Sequence, residues 1–361
     1  MRWHSMHVHY HDDLDALILG AVRPLFRTLT GQVAAAYFVR HWRRGPHLRL
    51  NFRTDDETFC GTVQPAVGRI VGGWLVDQPS TATPDPQALL PSHERLAELE
   101  QESGPLLPWR PNNSVHVADY DGREHVLGSE AAVELLAGFF VDTTGLAFNT
   151  LERVRAGDNR LRIAFDLMIA TAHALSGADI TVGFISFRSH ADGFLHFWPE
   201  GRGQRDSWEA HYRRHAADLV ARVRTLTTAI DQGVALPFVS GWLDVVRAYR
   251  STGRDLIESG AITMPFPFTD DDLASPLMEQ ASDFHRALFT NDYFMGTLRG
   301  SVWFATYRLM INYLYLHLTR IGITPGQRFL LCHLAASAVE EAFGLSAVEI
   351  AARTGPARSG T

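Results

Sequence analysis

Hydrophobic and polar residues alternate in two short runs near the start of the chain. Residues 3–11 alternate and predict a strand. From Pro46 onward, His47, Arg49 and Asn51 point one way while Leu48, Leu50 and Phe52 point the other. That second run predicts a strand with one apolar face anchored in a core and an imidazole, a guanidinium and a carboxamide in a row on the other. An aromatic-rich run over 37–42 precedes it, and Gly45-Pro46 makes the turn between them. Such a polar row can grip carboxylates or peptide carbonyls, or it is the solvated face of an edge strand. Asp12 or Asp13 caps a predicted helix through about Thr28, and a second helix fits residues 55–76. Strand, helix, strand, strand is an order that favours an antiparallel α+β sheet over βαβ winding.

The pattern changes after this. Residues 77–114 hold Pro79, Pro84, Pro86, Pro91, Pro105, Pro108 and Pro111, an irregular excursion with room for a short helix near 92–102. A short strand at 115–120 and the turn Asp121-Gly122 return the chain to the sheet. Beyond Ser129 the apolar spacing is helical: Ile180, Phe184, Phe187, Ala191, Phe194, Leu195 and Trp198 form one stripe, and Trp208, His215, Leu219, Val223 and Leu226 the next. Further helices fit 239–259, 276–289, 296–321 and 325–343, with a last turn at 346–352 and a frayed Gly/Ser/Arg tail. The predicted class is α+β: a sheet subdomain over 1–125 with its excursion at 77–114, then a mainly helical subdomain over 126–361.

Composition narrows the function. The chain has 361 residues, 46% hydrophobic and 20% charged, an ordinary globular balance with no need of staples. Two cysteines, Cys60 and Cys332, make no disulfide framework, so a reducing cytoplasm is expected. Met1-Arg2-Trp3-His4 starts no secretory signal, and the apolar run 302–318 is broken by Arg308, Asn312 and His317, which argues against a membrane span. The net charge is −7, yet arginines crowd 40–53 and 202–224. A basic groove on an acidic protein suits an acidic peptide, not nucleic acid or a membrane. Gly201-Arg202-Gly203 lacks a third glycine and a flanking strand, no Gly-x-Ser-x-Gly elbow is present, and no cofactor is implied.

Candidate chemistry falls in four places. On the 296–321 helix, Arg308, Asn312, Tyr315 and Thr319 form one polar stripe on an apolar, aromatic helix. Such a stripe faces either solvent or a cavity, and the second reading gives a pocket with a guanidinium, an amide and a phenol. Tyr293, in the loop Thr290-Asn291-Asp292-Tyr293, is a further pocket residue. His7, His9 and His11 would share a strand face, a way to hold zinc, but no matching donor cluster is evident and no metal is expected. Trp208, Tyr212, Arg213, Arg214 and His215, like Arg40, Arg43 and Arg44, could receive an acidic peptide or be a solvated face.

An aromatic-rich strand followed by Gly45-Pro46-His47-Leu48-Arg49-Leu50 resembles the C-terminal elimination domain of LanB-type lantibiotic dehydratases, which also circulates alone in thiopeptide biosynthesis. The resemblance covers most of the chain and is sharpest over 3–53. It implies the elimination-domain fold, no metal, and a ribosomally made precursor peptide as substrate. Eliminating members use strand arginines and a late-helix histidine to expel glutamate. Here Arg49 matches the first arginine, but Asn51 replaces the second. Thr319-Arg320 stands where Asn-Arg is expected, and Tyr315 stands at the histidine, with His317 two residues on. A third family arginine falls on Asp119, ahead of Tyr120-Asp121-Gly122.

A scaffold kept while its glutamate equipment is lost is similar to the thiopeptide pyridine synthases. The resemblance then implies a formal [4+2] aza-cycloaddition. Two dehydroalanines of an azole-bearing core peptide meet, one through the 2-azadiene tautomer of its amide. Loss of water and of the leader peptide as a carboxamide aromatises the pyridine and leaves a macrocycle. On this reading Tyr315 is the acid/base or donor, Arg308 and Asn312 polarise carbonyls, and Tyr293 lines the pocket. His47, Arg49 and Asn51 hold substrate from the sheet, and Arg43, Arg44, Trp208 and Arg213 meet the leader. The alternatives are a glutamate-eliminating subunit of a split dehydratase and a non-catalytic leader-binding scaffold, with a metal-dependent hydrolase on His7, His9 and His11 last. The oligomeric state stays open between monomer and homodimer.

Overall fold

The two alternating runs become the inner strands of a four-stranded antiparallel sheet in a computed structural model that describes residues 1–353. β1 (Arg2–His9) pairs with β3 (His47–Thr54) along its length; β2 (Ala35–His41) lies beside β3 and β4 (Ser114–Ala118) beside β1, giving the order β2-β3-β1-β4. β3 is therefore an interior strand, not an edge. Its polar row is covered: His47, Arg49 and Asn51 are 2, 6 and 4% exposed. The opposite face buries Leu48, Leu50, Phe52 and Phe38 completely, with Phe26 edge-on to Phe52 and Phe148 stacked on Phe38. β1 ends at His9, so His11 leaves the strand and its ring packs against Trp109.

The first two predicted helices form, with one widened turn in the first and two in the second, the later at Gly68–Gly72. Asp13 accepts from Asp15 N at the first start, and Asp55 from Thr58 N at the second. The π-type turns at Ile18–Val22 and Phe59–Val63 each come just before a proline, Pro24 and Pro65. A proline has no N–H to return to the carbonyl four residues back, so the ladder widens there. In the Pro-rich excursion, α1 (Pro86–Glu100) is longer than the sequence suggests. Asp85 caps it, Pro86 sits in its first turn, and it tolerates Pro91. The excursion's ends are tied together by Asn113 Oδ1 accepting from Ser80 N at 2.8 Å and by Asn112 Nδ2 donating to Ser80 Oγ at 3.0 Å.

Contacts divide the chain into two compact units, Met1–Asp158 with Arg320–Gly322, and Asn159–Thr319 with the residues from Ile323 onward. The division falls after α2 (Glu130–Asp142) and α3 (Thr144–Arg155), beyond the change in sequence character at 125/126. These helices belong with the sheet because Phe140 stacks on Tyr37 and Phe148 on Phe38. Arg320 is the last residue of a long helix and a core residue of the first unit. Its guanidinium donates to Phe140 O (3.1 Å), Thr143 Oγ1 (2.8 Å) and Thr144 Oγ1 (2.6 Å), and lies 4.8 Å from the Phe38 ring centre.

The second unit is helical, as the 3.6-residue spacing predicts. It holds α4 (Arg160–Leu175), α5 (Ile185–Phe197), α6 (Arg205–Asp231), α7 (Val239–Glu258), α8 (Val302–Arg320) and α9 (Pro325–Phe343). Two predicted helices break. The 276–289 segment becomes a 3-10 turn, Pro276–Gln280, and a short helix, Asp283–Phe289, which starts where Ser282 accepts from His285 N. The 296–321 segment opens as a π-type turn, Phe294–Leu298, and restarts as α8 where Ser301 Oγ accepts from Phe304 N at 3.2 Å. The tail over 354–361 lies outside the described residues. Among these, no single helix is long and apolar enough to cross a membrane.

Buried histidines make this unit acid-sensitive. Burial holds His190 down at about 3, and His285 and His333 at about 4, below the usual 6.5. Their folded values are depressed, so in the unfolded chain they take up protons that the folded form refuses. The stability they confer is present above about pH 6.5 and lost as the pH falls toward 4. Each contributes a slope of about 1.4 kcal/mol per pH unit in that window. Circular dichroism against pH is expected to show cooperative loss of helix near pH 5; a signal flat to pH 4 would contradict it.

Candidate active site

A cavity of about 890 Å³ opens in the second unit, lined by α5, α8, the loop before Tyr293 and the 266–268 segment. Phe266, Phe268, Phe289, Phe294, Trp303 and Phe304 give it aromatic walls, and its size falls in the range of ligand-binding pockets. Polar groups enter from two sides. From α8 come Arg308 and Asn312; from α5 come Ser186, Ser189 and His190. Tyr293 lines the cavity from its loop, which Asn291 secures: its Oδ1 accepts from Tyr293 N (2.9 Å) and Phe294 N (3.1 Å), and its Nδ2 donates to Ala351 O (2.7 Å).

The predicted stripe on α8 is thus divided along the helix. Arg308 donates through Nη1 to Met264 O (3.0 Å) and Pro265 O (2.9 Å), which fixes the loop beside the cavity and leaves its other nitrogens for an occupant. Tyr315 is buried and does not line the cavity. Its hydroxyl is 2.7 Å from His190 Nδ1 and 3.2 Å from Cys332 Sγ, with the Arg328 guanidinium 4.9 Å from its ring centre. His317 is buried beside Trp242, their ring centres 4.8 Å apart.

Cys332, Tyr315 and His190 form a line ending at the cavity wall, and each is held in its neutral form. Burial pushes the Cys332 thiol up to about 12 and Tyr315 well above its usual 10, while it depresses His190 to about 3. With Nδ1 engaged by Tyr315, Nε2 of His190 is the nitrogen left for a cavity occupant. The line runs in either direction. With S–H to phenol O and phenol O–H to Nδ1, His190 presents Nε2–H as a donor; reversed, it presents a lone pair as a base. On the same helix, Ser189 Oγ lies 3.1 Å from His285 Nε2, and His285 Nδ1 lies 3.2 Å from Ser282 Oγ. Sequence reasoning missed His190 and Ser189, although Ser186, Ser189 and His190 stand at i, i+3 and i+4 within an apolar stripe.

The other candidates lie in the first unit or away from the cavity. Around β3 the centre is Glu102, which no local pattern announced. It is buried beside His41 Nε2 (3.2 Å), Arg43 Nη1 (3.6 Å), Arg49 Nη2 (3.9 Å) and Arg123 Nε (3.9 Å). Burial raises its carboxyl, but the His41 bond and the charges of Arg49 and Arg123 outweigh that and hold it at about 2. Arg49 is also paired with Asp121 Oδ2 at 3.1 Å, and His47 Nδ1 donates to Gly45 O at 2.9 Å. Arg44 donates to Pro108 O, and Arg43 to Ser103 O. Trp208 is core, stacked on Phe194 at 5.6 Å, whereas the Arg213 side chain is 70% exposed beside Glu209. Glu102→Ala leaves Arg49 buried with one acid fewer and is expected to cost about 3 kcal/mol. Urea unfolding measures this; an unchanged midpoint would contradict it.

Comparisons with known proteins agree with this architecture. The model of the lantibiotic biosynthesis dehydratase C-terminal family matches residues 3–339. Among solved structures, the chain is similar to the pyridine synthase TbtD from thiomuracin biosynthesis, with 40% identity, a TM-score of 0.79, and 96% of this chain and 100% of that one covered. TsrL has the same fold at 22% identity and a TM-score of 0.72 over 99% of both chains. So does MibB, a tRNA-dependent lantibiotic dehydratase from Microbispora sp. 107891, at 15% identity and a TM-score of 0.53, covering 95% of this chain and 28% of that one. A search of curated proteins finds no match.

Proposed function

The chain belongs to the lantibiotic biosynthesis dehydratase C-terminal family, and from that premise we propose that it is a thiopeptide pyridine synthase. It joins two dehydroalanines of a leader-bearing, azole-modified precursor peptide in a formal [4+2] aza-cycloaddition. The observation that carries this reading is the full-length similarity, at 40% identity, to a structure named as a pyridine synthase. The cavity in the second unit supports it. Joining two ends of a floppy peptide is limited by their encounter, and aromatic walls that seat azoles supply orientation.

His190 serves the amide tautomerisation. With its lone pair on Nε2 it takes the amide N–H proton and returns that proton to the amide oxygen as the iminol forms, so His190 ends neutral while Tyr315 and Cys332 keep their protons and orient the ring. Arg308 and Asn312 polarise carbonyls, and Tyr293 closes the wall over the reacting segment. After ring closure the same groups assist loss of water and of the leader carboxamide, which leaves the aromatic pyridine. No metal or redox cofactor enters these steps. Of the residues suggested for the leader, Arg213 keeps an exposed guanidinium for an acidic segment. Two unpaired thiols, Cys60 exposed and Cys332 buried, fit a reducing cytoplasm.

The glutamate-eliminating reading is disfavoured by one arrangement. Arg49, the strand arginine that would hold a departing glutamate, is already paired with Glu102 and Asp121. Parallel incubations separate the two activities. A peptide with glutamylated serine is expected to release no glutamate, while a dehydroalanine peptide cyclises; glutamate release at a comparable rate would overturn the assignment.

A further inference from the structure

The polar face of the sheet gathers histidines that the proposed reaction does not use. His7 and His9 project from the same side of β1, and His116 on β4 is the direct cross-strand partner of His7. One nitrogen from each lies within 4.8 Å of the others. His47, opposite His9 on β3, stacks on His9 at 4.5 Å and on His7 at 4.9 Å. We propose that His7, His9 and His116, with His47 beside them, form a binding site for a zinc-class divalent metal ion that pins β4 to β1.

Two observations beyond proximity support the site. First, two of these four imidazoles carry a buried nitrogen without a partner: His9 Nδ1 and His47 Nε2 are enclosed and make no hydrogen bond. A buried imidazole nitrogen with no partner is costly and calls for a ligand. Second, His47 is preset as a ligand. Its Nδ1 must be the protonated nitrogen because it faces Gly45 O, so Nε2 carries the lone pair, as in metal-bound histidines whose other nitrogen donates to a carbonyl. Burial also keeps His7 and His9 neutral, as metal binding requires.

Zinc–nitrogen bonds of about 2.0–2.1 Å put tetrahedral ligands about 3.4 Å apart, so side-chain rotation must draw the three rings together. His116 lies on an edge strand and is partly exposed, which gives the ion a way in. All-imidazole ligation suits zinc, copper or nickel rather than magnesium or calcium. Arg49, Arg44 and Arg110 face this cluster and repel a dication, although Arg49 is balanced by Asp121 and Glu102. Affinity is therefore expected in the micromolar range, below that of structural zinc sites.

The test uses tag-free full-length protein, treated with EDTA, desalted and titrated with zinc sulfate in a calorimeter, then with cobalt(II) followed by visible absorption. One equivalent is expected to bind and to raise Tm by about 4 °C at 100-fold excess over Kd. His116→Ala is expected to weaken binding at least about 30-fold, and His116→Gln, which keeps the side chain's bulk, likewise. His215→Ala, in the exposed pair His211 and His215, is expected to leave it unchanged. No saturable uptake at millimolar zinc would overturn the proposal. So would wild-type affinity in a folded His116 variant, or loss of binding in His215→Ala alone.

Discussion

Replacing His190 with alanine is expected to lower the rate of pyridine formation by about 10²–10⁴-fold, the range for loss of a positioned acid–base group. Position and protonation together make His190 the reacting group. His190 lines the cavity while its Nδ1 is held at 2.7 Å by Tyr315, and burial keeps the ring neutral near neutral pH. Tyr315→Phe keeps the ring packing and removes only the hydroxyl, so a smaller loss of about 10-fold is expected, close to the value of one orienting hydrogen bond. The pH profile separates catalysis from packing. Because His190 is held at about 3, the wild-type rate should show no limb near 6.5, the ordinary histidine value. An ordinary histidine limb, or full activity in His190→Ala, would remove His190 from the reaction.

The second large effect is on stability. Arg320→Ala deletes three hydrogen bonds and the contacts with Phe38 and Phe140 inside the first unit. Burial draws its guanidinium down to about 9, still protonated near neutral pH, and its hydrogen-bond acceptors are all neutral oxygens. Truncation leaves a void the size of a long side chain in a packed core, and a loss of about 3–5 kcal/mol is expected from urea unfolding. Arg320→Met fills much of that void without bringing a charge and should recover part of the loss. A change under about 1 kcal/mol for alanine would show that the site is not the anchor described here.

The same residue shows how far the sequence could be read. Family comparison marked Thr319-Arg320 as a position of chemistry, but Arg320 is occupied by α2, α3 and β2 partners that lie far away in sequence. Periodicity located the sheet and the long helices because one face of each is buried at a fixed interval, as for Leu48, Leu50 and Phe52. The α8 stripe was legible for the same reason. What periodicity lacks is position along the helix axis. Arg308 and Asn312 reach the cavity, whereas Tyr315, at nearly the same angle, is covered by Cys332 and Arg328 of α9. The residue in front of Tyr315 is His190, supplied by another helix.

Non-local partners explain the other gaps. The row His47, Arg49, Asn51 was readable as a polar face, but not its covering, because Glu102 comes from an excursion whose prolines hide any period. Likewise His7, His9 and His11 read as one strand face, but β1 ends at His9, so strand pairing sets His116 beside His7 and leaves His11 against Trp109. Helix breaks at Ser282 and Ser301 were marked by capping residues that the longer apolar spacing masked.

The most direct test of the central claim is mass spectrometry of the purified protein incubated with a leader-bearing peptide that carries azoles and two dehydroalanines. A pyridine synthase yields a core product lighter than substrate by one water and the leader carboxamide, with pyridine absorbance and the released leader amide in equal amount. Substrate recovered unchanged, with the leader bound to the protein, would contradict it and leave a peptide-holding scaffold.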